Sequence, residues 1–131
     1  MSRLKVGAVS DDSICRYADT VLNSISEGVF TVDLDWKITS FNKAAELITG
    51  HNRWEAVGSS CRDILHSAAC GKACPLSKTI KTGRSITGAR TTITNAQGRS
   101  FPVEISTSVL RDDEGAVVGG IETFRDVETM D

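Results

Sequence analysis

Hydrophobic positions along this chain change their period three times. Behind the candidate caps Asp11-Asp12-Ser13, Ile14, Ala18, Val21, Leu22 and Ile25 recur at helical spacing. They predict an amphipathic helix of about three turns ending near Glu27-Gly28. From Val29 to Leu34 the period falls to two, with Phe30, Val32 and Leu34 on one face of a half-buried strand. Asp35-Trp36 makes a tight turn and Lys37 to Phe41 a second short strand. Asn42 then caps a helix through Lys43-Ala44-Ala45-Glu46-Leu47-Ile48 that Gly50 can stop. Both Trp36 and Trp54 are read as packing residues.

Between Asn52 and Ser85 the pattern breaks into short helical pieces: Arg53 to Val57, Arg62 to Leu65, and a longer one from Pro75 to Lys81. Pro75 suits a first turn and Gly83 closes the last. The period then returns to two in three segments, Ser85 to Thr94, Arg99 to Leu110 and Ala116 to Val127, separated by Asn95-Ala96-Gln97-Gly98 and Asp112-Asp113-Glu114-Gly115. In the middle segment Phe101, Val103, Ile105, Thr107 and Val109 alternate with Pro102, Glu104, Ser106 and Ser108, so one face is core and the other polar. Two strands, several short helices and three strands predict an α+β fold: a five-stranded antiparallel sheet with short helices on one face, preceded by the N-terminal amphipathic helix. Short helices tile a curved sheet imperfectly, which leaves room for a cavity between the layers.

Composition narrows the function. With 131 residues, 40% hydrophobic and 24% charged, the chain suits one ordinary globular domain. The net charge is −2 and the 15 basic residues are scattered, which argues against direct nucleic-acid binding. No apolar run is long enough to span a membrane, and Met1 to Ser10 lacks a signal-peptide core, so a cytoplasmic location without a membrane partner is expected. Glu27, Asp33, Asp35 and Glu46 lack an accompanying nucleophile, acid–base pair or phosphate loop. Strand edges and turns account for them, and no enzyme is expected.

Segments toward both ends of the chain resemble PAS domains. Ser24-Ile25-Ser26-Glu27-Gly28-Val29-Phe30-Thr31-Val32-Asp33, then Ile38-Thr39-Ser40-Phe41-Asn42-Lys43-Ala44-Ala45-Glu46, then Ile48-Thr49-Gly50, look like the opening of bacterial members. Gly115 to Gly120 with Phe124-Arg125-Asp126-Val127 is similar to the closing strand. One departure is Glu128, followed by Thr129, where the family commonly has Ser or Thr directly after the Asp-Val pair. The resemblance implies a PAS sensor domain over residues 14–127, a leader at 1–13, and at 128–131 the start of a linker to an output domain in the same chain. It further implies a signal-transducing input module of a histidine kinase (two-component system) or transcriptional regulator. The stripe of Ile14, Val21, Leu22 and Ile25 must bury somewhere, against its own sheet or in a homodimer with a partner helix.

The densest chemistry is the run from Cys61 through Cys70 to Cys74, spaced C-x8-C-x3-C. A disulfide framework does not suit a cytoplasmic domain of this size. Thiolates are soft ligands for zinc or an iron–sulfur cluster, both of which usually take four ligands; Cys15 or His66 could complete the set. A thiolate at Cys74 would also face the positive end of the Pro75 helix. Against a metal, the spacing matches neither a zinc-finger pair nor a ferredoxin run. Two other readings stay open: a reversible Cys70–Cys74 thiol switch, and three packed thiols in a cofactor-free interaction module. Flavin and haem rank behind these. Gly58 to Leu65 only partly resembles the photoactive-cysteine motif of the light-sensing PAS branch. Neither His51 nor His66 lies on the Pro75 helix.

Overall fold

A computed structural model describes residues 27–67 and 74–127. Its elements are β1 (Gly28–Asp33), β2 (Ile38–Phe41), α1 (Lys43–Thr49), α2 (Arg53–Ala56), α3 (Cys61–Leu65), α4 (Pro75–Thr82), β3 (Ile86–Thr94), β4 (Ser100–Arg111) and β5 (Val117–Asp126). The strands form one antiparallel sheet in the order β2-β1-β5-β4-β3. The first strand therefore pairs with the last. The predicted first helix, the leader and the linker lie outside the described residues.

Period-two alternation sets the two faces. Phe101, Val103, Ile105 and Thr107 of β4 turn inward and are buried, as are Phe30 and Val32 of β1 and Gly120, Glu122 and Phe124 of β5. On this face α1 covers β1 and β5, and α4 lies across β3, β4 and β5. The ring of Phe30 meets Phe124 edge-on at 6.0 Å and Phe41 at 6.5 Å between centroids. Each such side chain contributes roughly 1.5–3 kcal/mol by leaving water. Gly120 makes room for α4: a Cβ there would lie 2.7 Å from Leu76 Cδ1. The outer face is hydroxyl-rich, with bonded pairs Thr31–Ser40, Ser85–Ser108 and Thr94–Ser100, and Glu104 bridges Arg125 at 2.7 Å.

Two expectations are corrected. Leu34 does not join Phe30 and Val32 in the core; β1 ends at Asp33, the chain turns there, and Leu34 is 55% exposed. Trp54 is not a packing residue: α2 is a single turn that buries Ala56, leaving the indole 86% exposed beneath the Arg53 guanidinium, 5.8 Å from the ring centroid. At the sheet margins, β2 has four residues, and the β3–β4 register shifts between Ile86 and Ala89.

Asn42 fastens the helical layer to the sheet. Its Oδ1 accepts from Ala45 N, capping α1, and from Val29 N at the start of β1, both at 2.9 Å; its Nδ2 donates to Glu27 O at 3.0 Å. The side chain is buried, so water cannot replace these bonds. Asn42→Ala removes a cap and strands the buried Val29 N–H, and denaturant unfolding should show a loss of about 2–4 kcal/mol. Asn42→Asp, which keeps both accepted bonds, should lose less.

Candidate functional site

The site begins at the β1–β2 turn. Asp33 Oδ1 accepts from Asp35 N at 2.9 Å and Lys37 N at 3.0 Å, and Trp36 N donates to Asp33 O at 3.1 Å. This closes a tight loop whose last residue, Trp36, takes a left-handed backbone with φ 66°. That conformation costs an L-residue roughly 1–2 kcal/mol, so a large aromatic there is a strained choice. Its indole packs against the core cluster.

The chain after α2 then runs back along this turn. Ile38 N donates to Ser59 O at 2.9 Å, Gly58 N to Ile38 O at 2.8 Å and Cys61 N to Trp36 O at 3.1 Å, while Lys37 and Ser60 form a β-bridge. Cys61, the first residue of α3, is thereby pinned beside Trp36. On the other side Cys74 caps α4 by its backbone, with Pro75 following and no side-chain capping bond. Together they border a cleft of about 430 Å³ lined by Trp36, by Ser60, Cys61, Arg62 and Asp63 at the start of α3, and by Cys74 and Ser77 at the start of α4. Cys61 and Cys74 both carry thiols, are half-buried, and pack against the core cluster. The cleft thus offers two soft sulfur ligands, two hydroxyls and an aromatic wall, with an oppositely charged pair of residues at its rim.

Of the predicted ligands, Cys61 and Cys74 therefore come together; Cys15 and Cys70 lie outside the described residues. Among the described residues no group of three or more His, Cys, Asp and Glu side chains stands together to hold an ion. His66 ends α3 in a left-handed conformation with its side chain exposed, and His51 Nδ1 lies 3.0 Å from Glu55 Oε1. Neither is on α4. The carboxylates have structural partners where the turn and cap geometry requires them: Asp33 closes its loop, and Glu46 Oε2 accepts from Arg53 N at 2.7 Å. Among the described residues no helix is long and apolar enough to cross a membrane.

The sequence reading missed Glu122. It occupies the inner face of β5, level with Phe30 of β1 and Thr107 of β4, and burial pushes its carboxyl up to about 8. The signal was available, since Glu122 shares its parity with the buried Gly120 and Phe124.

The strain at Trp36 gives a direct expectation. Trp36→Gly and Trp36→Ala both lose the indole, but only alanine keeps the left-handed penalty. Urea unfolding should place the alanine variant about 1 kcal/mol below the glycine variant, with both below the parent; equal stabilities would show the turn to be unstrained.

The fold has counterparts in known proteins. A family model described as PAS domain matches residues 26–129. The probable diguanylate cyclase DgcE of Escherichia coli (strain K12) is 31% identical over 109 residues, which is 81% of this chain and 10% of that protein. The signal transduction histidine-protein kinase AtoS of the same organism is 24% identical over 109 residues, 83% of this chain and 17% of the kinase. The chain thus spans less than a fifth of either relative. The crystal structure of a PAS domain from a two-component sensor histidine kinase superposes with a TM-score of 0.73 at 21% identity, covering 89% of this chain and 99% of that one.

Proposed function

The chain belongs to the PAS domain family, and from that premise we propose that it is the input domain of a longer bacterial regulator that senses redox state or oxygen through a cysteine-held metal or iron–sulfur cluster. The supporting observation is that Cys61, the first residue of α3, and Cys74, the N-cap of α4, line one cleft beside a strained tryptophan. Cys70 lies between them in sequence, and it and Cys15 are the further ligands in this reading. When bound, such a group supplies a redox-sensitive or oxygen-sensitive charge. The residues on this chain then do the rest: two thiolates hold it, the helix start at Cys74 favours their negative charge, and the indole of Trp36 shields one wall from water.

Transmission follows from where the thiols sit. Cys74 opens α4, and α4 lies across β3, β4 and β5, so a change of ligation at Cys74 reaches the last strand of the sheet through one helix. In this reading the domain binds and reports rather than catalyses; any catalysis belongs to an output domain, as it would in a protein organised like the kinase AtoS or the cyclase DgcE. Its setting is the cytoplasm, and it works as a homodimer joined through the helix predicted before Gly28.

Protein purified anaerobically should show bound iron or zinc by metal analysis, with visible absorption if the metal is a cluster. Cys61→Ala and Cys74→Ala should each abolish it. A colourless, metal-free product with unreactive thiols would instead make this a cofactor-free interaction module. Separately, sedimentation should give a concentration-dependent dimer, and a strict monomer at high concentration would remove the proposed self-association.

A further inference from the structure

Glu122 stands in the middle of the sheet's inner face with no neighbouring charge to explain it. Across β1 its partner in register is Phe30, and across β4 it is Thr107. Two residues earlier, Gly120 leaves the space into which Leu76 and Ile80 of α4 press. Thr107 Oγ1 lies 2.5 Å from Thr79 Oγ1, a buried hydrogen bond that fastens α4 to β4. Glu122 is only 5% exposed, and it is burial that pushes its carboxyl up.

The charged groups on the surrounding elements are turned elsewhere. Lys78 and Lys81 of α4 and Lys43 of α1 are exposed, and Glu46 of α1 is engaged by Arg53 N. On β4, Glu104 bridges Arg125 of β5 on the outer face, and Arg111 is exposed. Asp33 of β1 closes its turn, and Asp126 lies at the far end of β5. The thiols of Cys61 and Cys74 touch the same core cluster but are uncharged when protonated.

We propose that Glu122 is a proton-operated latch on α4: while protonated it lets the helix close on the sheet, and its deprotonation loosens the helix through Thr107 and Thr79. The carboxyl proton leaves to water, and the carboxylate left behind has about four acceptor sites to satisfy. The Thr79–Thr107 pair holds two hydroxyl protons and uses one between its members, so it can offer one. To do so, Thr107 turns its hydroxyl to Glu122 and accepts from Thr79. One donor is too few for a buried carboxylate, and the remainder must come from water admitted under α4. This device does not depend on any ligand at the cysteines.

The sign follows from proton binding. The closed state keeps Glu122 protonated up to about pH 8, whereas an opened, hydrated state would release that proton near the ordinary value of 4.5. The closed state therefore binds more protons across that window and weakens as pH rises through it. Hydrogen exchange on the whole chain, corrected for intrinsic rates, reads the opening of the α4 amides directly. Their opening constant should rise about tenfold per pH unit between pH 4.5 and about 8 and then level off. The α1 amides should stay flat, and Glu122→Gln should flatten α4. Carbon-13 NMR of the Glu122 carboxyl supplies a check that needs no variant. A carboxyl titrating near 4.5, an α4 profile flat in pH, an unchanged slope in Glu122→Gln, or the same slope in α1 as in α4 would each overturn the latch.

Discussion

The pairing of β1 with β5 is the constraint on which the rest of this structure depends. Six consecutive residues of β1, Gly28 to Asp33, find partners between Phe124 and Gly119. All four described helices and the other three strands lie between them in sequence, so the whole fold is one long loop closed by that ladder. Closing so long a loop is entropically costly, and local propensity alone cannot drive it. What offsets the cost is burial: Phe30 and Val32 meet Phe124 and the Gly120 backbone only when the ladder is in this register, and a slip by one residue would turn all of them to the outer face.

The same closure accounts for both polar features beneath the sheet. It sets β5 between two neighbours, so the inward-facing Glu122 has strands on either side and a helix over it. It also holds the β1–β2 turn against the chain leading into α3, where Trp36 O receives Cys61 N. Cys74 caps the start of α4, and the body of that helix is bonded to β4 through Thr79, whose partner Thr107 is level with Glu122.

Much of the fold was legible in the sequence because local rules agreed with the tertiary outcome. The alternation in Phe101, Val103, Ile105 and Thr107 marks their buried face, Asn42 caps the helix it was expected to cap, and Pro75 and Gly83 bound α4. Leu34 and Trp54 misled because hydrophobicity says nothing of where a chain turns; a strand one residue shorter and a helix of one turn leave them in water. The site was legible in part. Cysteine density pointed to Cys61 and Cys74, but their convergence on one cleft depends on the backbone bonds between residues 58–61 and the Trp36–Ile38 turn, which no spacing rule encodes. Glu122 escaped for a different reason: a carboxylate in a strand reads as a solvent-facing residue unless parity with its neighbours is given precedence over its charge.

The margins of the sheet carry a consequence for how such a domain can meet others. One edge is β2, only four residues long, and the other is β3, whose ladder is broken between Ile86 and Ala89 by Gly88 at φ 72°. Short and irregular edges are poor templates for an incoming strand. A sheet built this way resists lengthening by β-augmentation and the runaway polymerisation that follows from it. Contacts with other chains are therefore steered to the hydroxyl-covered outer face, the helical layer and the two ends, where association can be specific and can be undone.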